Sequence, residues 1–160
     1  MRVLSIVEGT SVDGPGLRTS IYLAGCDHHC PGCHNPQSWD PQGGEEMSLD
    51  ALMDVIAYNE LPVTLSGGDP LFHPEQVAQL TARIKDELGY NIWLYTGFTW
   101  EQIVATPRLL AALEHIDVVV DGPFILAQRD TSLHFRGSTN QRIIDVQQSL
   151  ATGKVSTITL

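Results

Sequence analysis

The 160-residue sequence is short of basic side chains: nine Lys and Arg stand against nineteen Asp and Glu, a formal net charge of −10. No Lys/Arg-rich run occurs, which argues against nucleic-acid binding, because that requires a surface that neutralises phosphates. The acidity instead suits solubility or a basic partner surface. No apolar run approaches the roughly 18 residues of a membrane helix. The opening Met1-Arg-Val-Leu-Ser-Ile-Val-Glu8 is too short and ends too acidic for an export signal. Internal repeats, linkers and low-complexity stretches are also missing. Cysteine is scarce: there are three, and none lies outside residues 26–33. The expectation is a single domain over residues 1–160, cytoplasmic, with no membrane segment. In that compartment, clustered thiols argue for a metal or for redox chemistry and against structural disulfides.

What is present is an ordinary globular composition, 42% apolar and 18% charged, with enough chain to bury roughly 70% of its unfolded surface. Strand-forming runs fall at 2–7, Arg18–Ala24, Pro62–Ser66, Asn91–Tyr95 and Ile116–Val120, with a short one near Arg142–Asp145. Residues 35–47 read as loop. Ser48 is a good N-cap for a helix whose apolar face is Leu49, Leu52, Met53 and Ile56. A second helix runs from about Pro74 to Leu88, with a stripe of Val77, Leu80, Ile84 and Leu88 and Gly89 at C′. Thr99 and Gln102 fit a capping box, and Pro107 restarts helix through Glu114. Strand, Gly-rich turn and helix alternate, which predicts βαβ units and an α/β fold with a parallel sheet. About five strands cannot close an eight-stranded barrel, so an open or partial barrel is expected.

All three thiols fall within Cys26-Asp-His-His-Cys30-Pro-Gly-Cys33-His34-Asn35, directly after a strand, where α/β folds place their chemistry. Three thiolates are too few for an all-cysteine tetrahedral zinc site. They are also one short of the four that usually hold an iron–sulfur cube. A cube held by three leaves one iron open to a substrate. Taken alone, the loop also fits zinc with His28, His29 or His34 as the fourth ligand. A Cys30-x-x-Cys33 dithiol and the C-x-x-C-H haem-attachment pattern are further readings, but each leaves Cys26 idle or needs export.

Cys-x3-Cys-x2-Cys, read with Gly67-Gly68-Asp69 at the end of the next clear strand, resembles the radical S-adenosylmethionine superfamily. Asp13-Gly-Pro-Gly-x-Arg18 is similar to the glycyl-radical-enzyme activases. Cys30-Pro-Gly-Cys33, Ser66-Gly-Gly-Asp-Pro70, Val120-Asp-Gly-Pro-Phe124 and Phe135-Arg-Gly-Ser-Thr-Asn-Gln141 resemble those that act on anaerobic ribonucleoside-triphosphate reductase. The motifs span residues 13–141. One departure is Gly32, where many members of the superfamily carry an aromatic residue before the third cysteine; any adenine contact there would come from backbone.

The resemblance implies a partial parallel β/α barrel of the radical S-adenosylmethionine type. It implies a 4Fe–4S cluster on Cys26, Cys30 and Cys33, with S-adenosylmethionine bound by Gly32, Cys33, His34, Gly67, Gly68 and Asp69. Asp69 would meet the methionyl ammonium, a charge match that holds on chemistry alone. The implied reaction is reductive cleavage to methionine and a 5′-deoxyadenosyl radical, which takes hydrogen from a glycine of the reductase large subunit. No catalytic residue beyond the cluster is needed, and a low-potential carrier such as flavodoxin would supply the electron. A pyruvate formate-lyase activase, a small-molecule radical enzyme such as a deazapurine synthase, and a zinc-stabilised binding module are the competing functions. Asp121 reads as a turn residue more readily than a site, and the roles of Arg18 and Arg136 stay open. His28 and His29 read as exposed loop residues, and Tyr95 and Thr96 as packing near the cofactor end.

Overall fold

The computed structural model describes residues 1–160. Seven strands form one mixed sheet. In chain order they are β1 (Arg2–Thr10), β2 (Arg18–Leu23), β3 (Glu45–Glu46), β4 (Val63–Gly67), β5 (Ile92–Tyr95), β6 (Val118–Asp121) and β7 (Arg142–Asp145), arranged β3-β1-β2-β4-β5-β6-β7. The central four, β2, β4, β5 and β6, are parallel. The flanks are antiparallel: β1 to β2, β3 to β1, and β7 to β6. The expected parallel pairing is found in the central four strands, and the pairing is antiparallel at both edges. Residues 11–17 are too few to cross over between β1 and β2, so those strands can only form a hairpin. The segment between β6 and β7 holds one short 3₁₀ turn and no full helix to carry the chain back. The expected loop at 35–47 contains a 3₁₀ turn at Pro36–Ser38 and β3, whose two glutamates carry no apolar signature.

Helices connect the parallel strands, and each has a local cause. In α1 (Leu49–Asn59), Ser48 Oγ accepts from Ala51 N at 3.1 Å, and Glu60 ends the helix at φ 53°. In α2 (Pro74–Arg83), Pro sits at the first turn, where its missing N–H costs nothing. The chain then widens into a five-residue π-turn, Ile84–Leu88, and stops at Gly89, φ 68°. Thr99 and Gln102 form the expected reciprocal capping box of α3 (Trp100–Val104), with bonds of 3.2 and 2.9 Å. After α4 (Pro107–Ala112) and β7 comes α5 (Val146–Thr152), capped by Asp145.

Strand alternation separates the two faces of the sheet. Ile21, Leu23, Val63, Leu65, Ile92, Leu94, Val119 and Ile144 point into the main core, which they share with Leu52, Ile56, Val77, Leu80, Ile84 and Ile103 from the helices. The opposite face carries a smaller apolar cluster, Trp93, Val118, Val120 and Ile143, joined by Tyr95, Phe135 and Ile158. It also carries Arg18, Ser20, Tyr22 and Thr64, positions alternate to the core set. No helix is long and apolar enough to cross a membrane.

Candidate functional site

The C-terminal ends of β2, β4, β5 and β6 lead into four loops that meet at a cleft of about 220 Å³. After β2 the chain turns at Gly25, φ 104°, and enters the cysteine loop. Gly25 N donates to Ser38 O (2.7 Å) and Cys26 N to Trp39 O (3.2 Å), fixing where the loop begins. Cys33 N donates to Cys30 O (3.0 Å), so the last two cysteines share a turn, and Asn35 N donates to Cys33 Sγ at 3.4 Å. Cys26, Cys30 and Cys33 are free thiols, each half-buried, and all three line the cleft with His34. Burial pushes the Cys26 thiol up to about 11. Loading a metal therefore means displacing its proton.

The Gly67-Gly68 turn forms the facing wall. Its glycines are required by close backbone approach: a Cβ on Gly67 (φ 108°) would lie 2.3 Å from Leu23 N, and one on Gly68 2.5 Å from Gly25 O. Gly68 N donates to Leu23 O (2.8 Å) and Asp69 N to Gly25 O (2.9 Å), which presses this turn onto the start of the cysteine loop. Two expected residues stand apart from the cleft lining, Gly32 and Asp69. Gly32, φ 76°, packs under Leu126. Asp69 is 1% exposed. Its Oδ1 accepts from Leu71 N (2.9 Å); its Oδ2 accepts from Thr96 Oγ1 (2.9 Å), Gly97 N (2.8 Å) and His28 Nε2 (2.7 Å). That carboxylate is spent on protein donors, so the expected direct reach to an ammonium does not match its placement. His28, read as an exposed loop residue, is half-buried for the same reason; His29 is exposed and stacks on Trp39 with ring centroids 4.4 Å apart.

The remaining lining comes from Tyr95, Thr96 and Gly97 after β5, and from Gly122, Phe124, Gly137 and Gln141. The Tyr95 hydroxyl is buried without a hydrogen-bond partner. Alternation along Asn91–Tyr95 points to this residue, but a sequence carries no sign that its hydroxyl is unpaired. The two late motifs are sewn into one wall: Gln141 Oε1 accepts from Gly137 N (2.8 Å), Gln141 Nε2 donates to Gly122 O (3.0 Å), and Asn140 Nδ2 to Pro123 O (2.8 Å). Asp121 lies outside the cleft lining. It accepts from Trp100 N (2.8 Å) at the start of α3 and pairs with Arg142, which also holds Glu101. Arg136 donates to Gln141 O, and its Nε has no partner.

The donor set fits an iron–sulfur cluster held by three thiolates. Three free thiols from one loop line an open cleft, with the unpaired Tyr95 hydroxyl on its wall. Residues 12–144 match the profile of a 4Fe–4S single cluster domain. The anaerobic ribonucleoside-triphosphate reductase-activating protein of Vibrio cholerae is 39% identical, with 82% of this chain and 90% of that protein covered. The protein of that name from Haemophilus influenzae is also 39% identical, over 89% and 97%. That of bacteriophage T4 is 32% identical, over 82% and 86%. With the three thiols lining that cleft and likeness of this extent, the chain belongs to the family of anaerobic ribonucleoside-triphosphate reductase-activating proteins and carries its 4Fe–4S single cluster domain.

Proposed function

We propose that this protein activates an anaerobic ribonucleoside-triphosphate reductase by generating a glycyl radical on its large subunit. When bound, a 4Fe–4S cluster would supply the electron that cleaves S-adenosylmethionine to methionine and a 5′-deoxyadenosyl radical. The observation that carries the reading is the convergence of the three cysteines and the Gly67-Gly68 turn on one cleft. Cys26, Cys30 and Cys33 would hold the cluster, leaving one iron without a protein ligand. The Gly67-Gly68 backbone would receive the methionyl amino group, with Asp69 keeping that turn in shape from behind. Cys33 and His34 would contribute backbone, and Gly32 would shape the same stretch through its left-handed turn. The unpaired Tyr95 hydroxyl at the cleft wall has hydrogen-bonding capacity to offer a bound molecule.

The open sheet around β2, β4, β5 and β6 would then be the partial barrel of the radical S-adenosylmethionine type, its helix-free face turned to the substrate. A second groove on that face, lined by Leu4, Ser5, Val7 and Tyr22, shares Asn35 and Gly67 with the cleft, which gives a macromolecular substrate a route to it. A low-potential carrier such as flavodoxin would reduce the cluster, in the cytoplasm. The test is anaerobic. Protein reconstituted with iron and sulfide, then treated with dithionite and S-adenosylmethionine, should give a 4Fe–4S electron spin resonance signal that shifts on adding S-adenosylmethionine. It should release 5′-deoxyadenosine and form a glycyl radical on added reductase. A cluster that neither responds to S-adenosylmethionine nor yields 5′-deoxyadenosine would refute the mechanism.

A further inference from the structure

We propose that His28 is a positioning residue that holds the cysteine loop in register with the Gly-Gly turn, through its bond to Asp69. The inference rests on the cluster reading of Cys26, Cys30 and Cys33, and concerns what keeps those ligands in place. Between Asp27 and His34, one hydrogen bond leaves the loop, and it is His28 Nε2 to Asp69 Oδ2 at 2.7 Å. Backbone bonds within that span are internal, as in the turn from Cys33 N to Cys30 O. Without His28, that stretch would keep only packing contacts to the rest of the fold, His29 on Trp39 and His34 near Phe124, and no hydrogen bond.

The contact is built on every side. The His28 ring meets Phe72 (centroids 5.1 Å apart) and, edge-on, Phe98 (4.7 Å). Gly97 has no side chain where one would collide: a Cβ there would sit 2.5 Å from His28 Cδ2. Asp69 also binds Thr96 Oγ1 and Gly97 N after β5 and Leu71 N after β4. One buried carboxylate thus ties the cysteine loop to the two loops that face it. The bond needs only a proton on Nε2, which either the neutral tautomer or the charged ring provides. Groups that orient metal ligands from behind typically contribute about 10–100-fold to retention.

The test uses the reconstituted holoprotein, without S-adenosylmethionine or reductase, and follows iron loss to an excess of a strong ferrous chelator. His28→Phe keeps the aromatic packing and removes the donor; it should lose iron about 10–100-fold faster and give a broadened reduced-cluster resonance. His28→Gln, whose Nε2 can donate to Asp69, should keep most of the wild-type retention. Melting of the metal-free proteins separates a local effect from unfolding, and His28→Gln carries the test if the Phe variant fails to fold. Wild-type retention in His28→Phe would overturn the proposal, as would fast loss in a well-folded His28→Gln. A wild-type protein that takes up no cluster would instead overturn the cluster reading itself, and this inference with it.

Discussion

The two ends of the parallel strands are built on opposite terms. At the N-terminal end, Arg18 is 2% exposed and its guanidinium is held by several hydrogen bonds. It donates to Thr64 Oγ1 (2.8 Å), Val63 O (2.9 Å), Asn91 Oδ1 (2.8 Å) and Pro15 O (3.3 Å), and lies over the Trp93 ring, 5.5 Å from its centroid. Thr64 Oγ1 in turn donates to Asp13 O (2.9 Å), and Tyr22 bonds the Asp13 carboxylate. The Asp13–Gly16 turn is thereby stapled across β2, β4 and β5. At the C-terminal end the Tyr95 hydroxyl has no partner, and the free thiols meet only backbone N–H groups of their own loop, as where Asn35 N reaches Cys33 Sγ. The contrast teaches that Arg18, although its motif precedes the cysteines in sequence, braces the far end of the strands, while Asp13 of the same motif reaches along β2 to Tyr22, level with Ser66 of the cleft. Binding groups stand at one end, held by the Asp69 network, and the opposite end carries bracing alone.

Breaking the two ends should therefore give different signatures. Replacing Cys26, Cys30 or Cys33 with Ala should abolish cluster binding, seen as background iron after reconstitution, while the metal-free protein melts as the wild type does; full iron content would remove that cysteine from the ligand set. Gly67→Ala forces a side chain into the Leu23 backbone at positive φ. It should cost about 3 kcal/mol or more in urea unfolding and displace the cysteine loop, so that stability and iron fall together. Arg18→Leu should cost about 2–4 kcal/mol, because Thr64, Asn91 and the Val63 carbonyl lose a buried donor. Arg18→Lys should rescue this only in part, since an ammonium cannot span the same fork. In both Arg18 variants the resonance of the reduced cluster should be unchanged, and a shifted signal would erase the division between the ends. Tyr95→Phe deletes a hydroxyl that has no partner, so stability should change by less than about 1 kcal/mol. A fall in S-adenosylmethionine affinity by calorimetry would then mark the hydroxyl as a ligand group, and unchanged affinity would return it to packing.

Much of this was legible in the sequence because its causes are local. The N-cap of Ser48, the Thr99–Gln102 box and the glycine stop at Gly89 each act within a few residues, and the helices they bound stand where periodicity puts them. The cysteines and the Gly-Gly turn announce themselves by type and spacing. Asp121 and Arg142 do not. They lie 21 residues apart and meet because β7 pairs antiparallel to β6 with these two in register, an orientation that the alternating strand–helix rhythm argues against. His28 and Asp69, 41 positions apart, come together only once the turn after β4 is pressed onto the loop after β2. Asp69 looked like a ligand because a carboxylate beside glycines suits an ammonium; its burial depends on donors from the β5 loop that no local pattern marks. The sequence leaves Arg18 without an assigned role because its partners lie at the starts of strands 45 and more residues downstream.

The cleft takes one wall from Cys26–Asn35 and another from Gly122–Gln141, and this sets a timetable for biogenesis. On the ribosome, the thiols emerge more than a hundred residues before Gln141, which closes the far wall. A cluster delivered in that interval would sit on an open, water-washed loop, exposed to oxidants. The late wall shelters the thiols only once the chain is complete through Gln141 and folded.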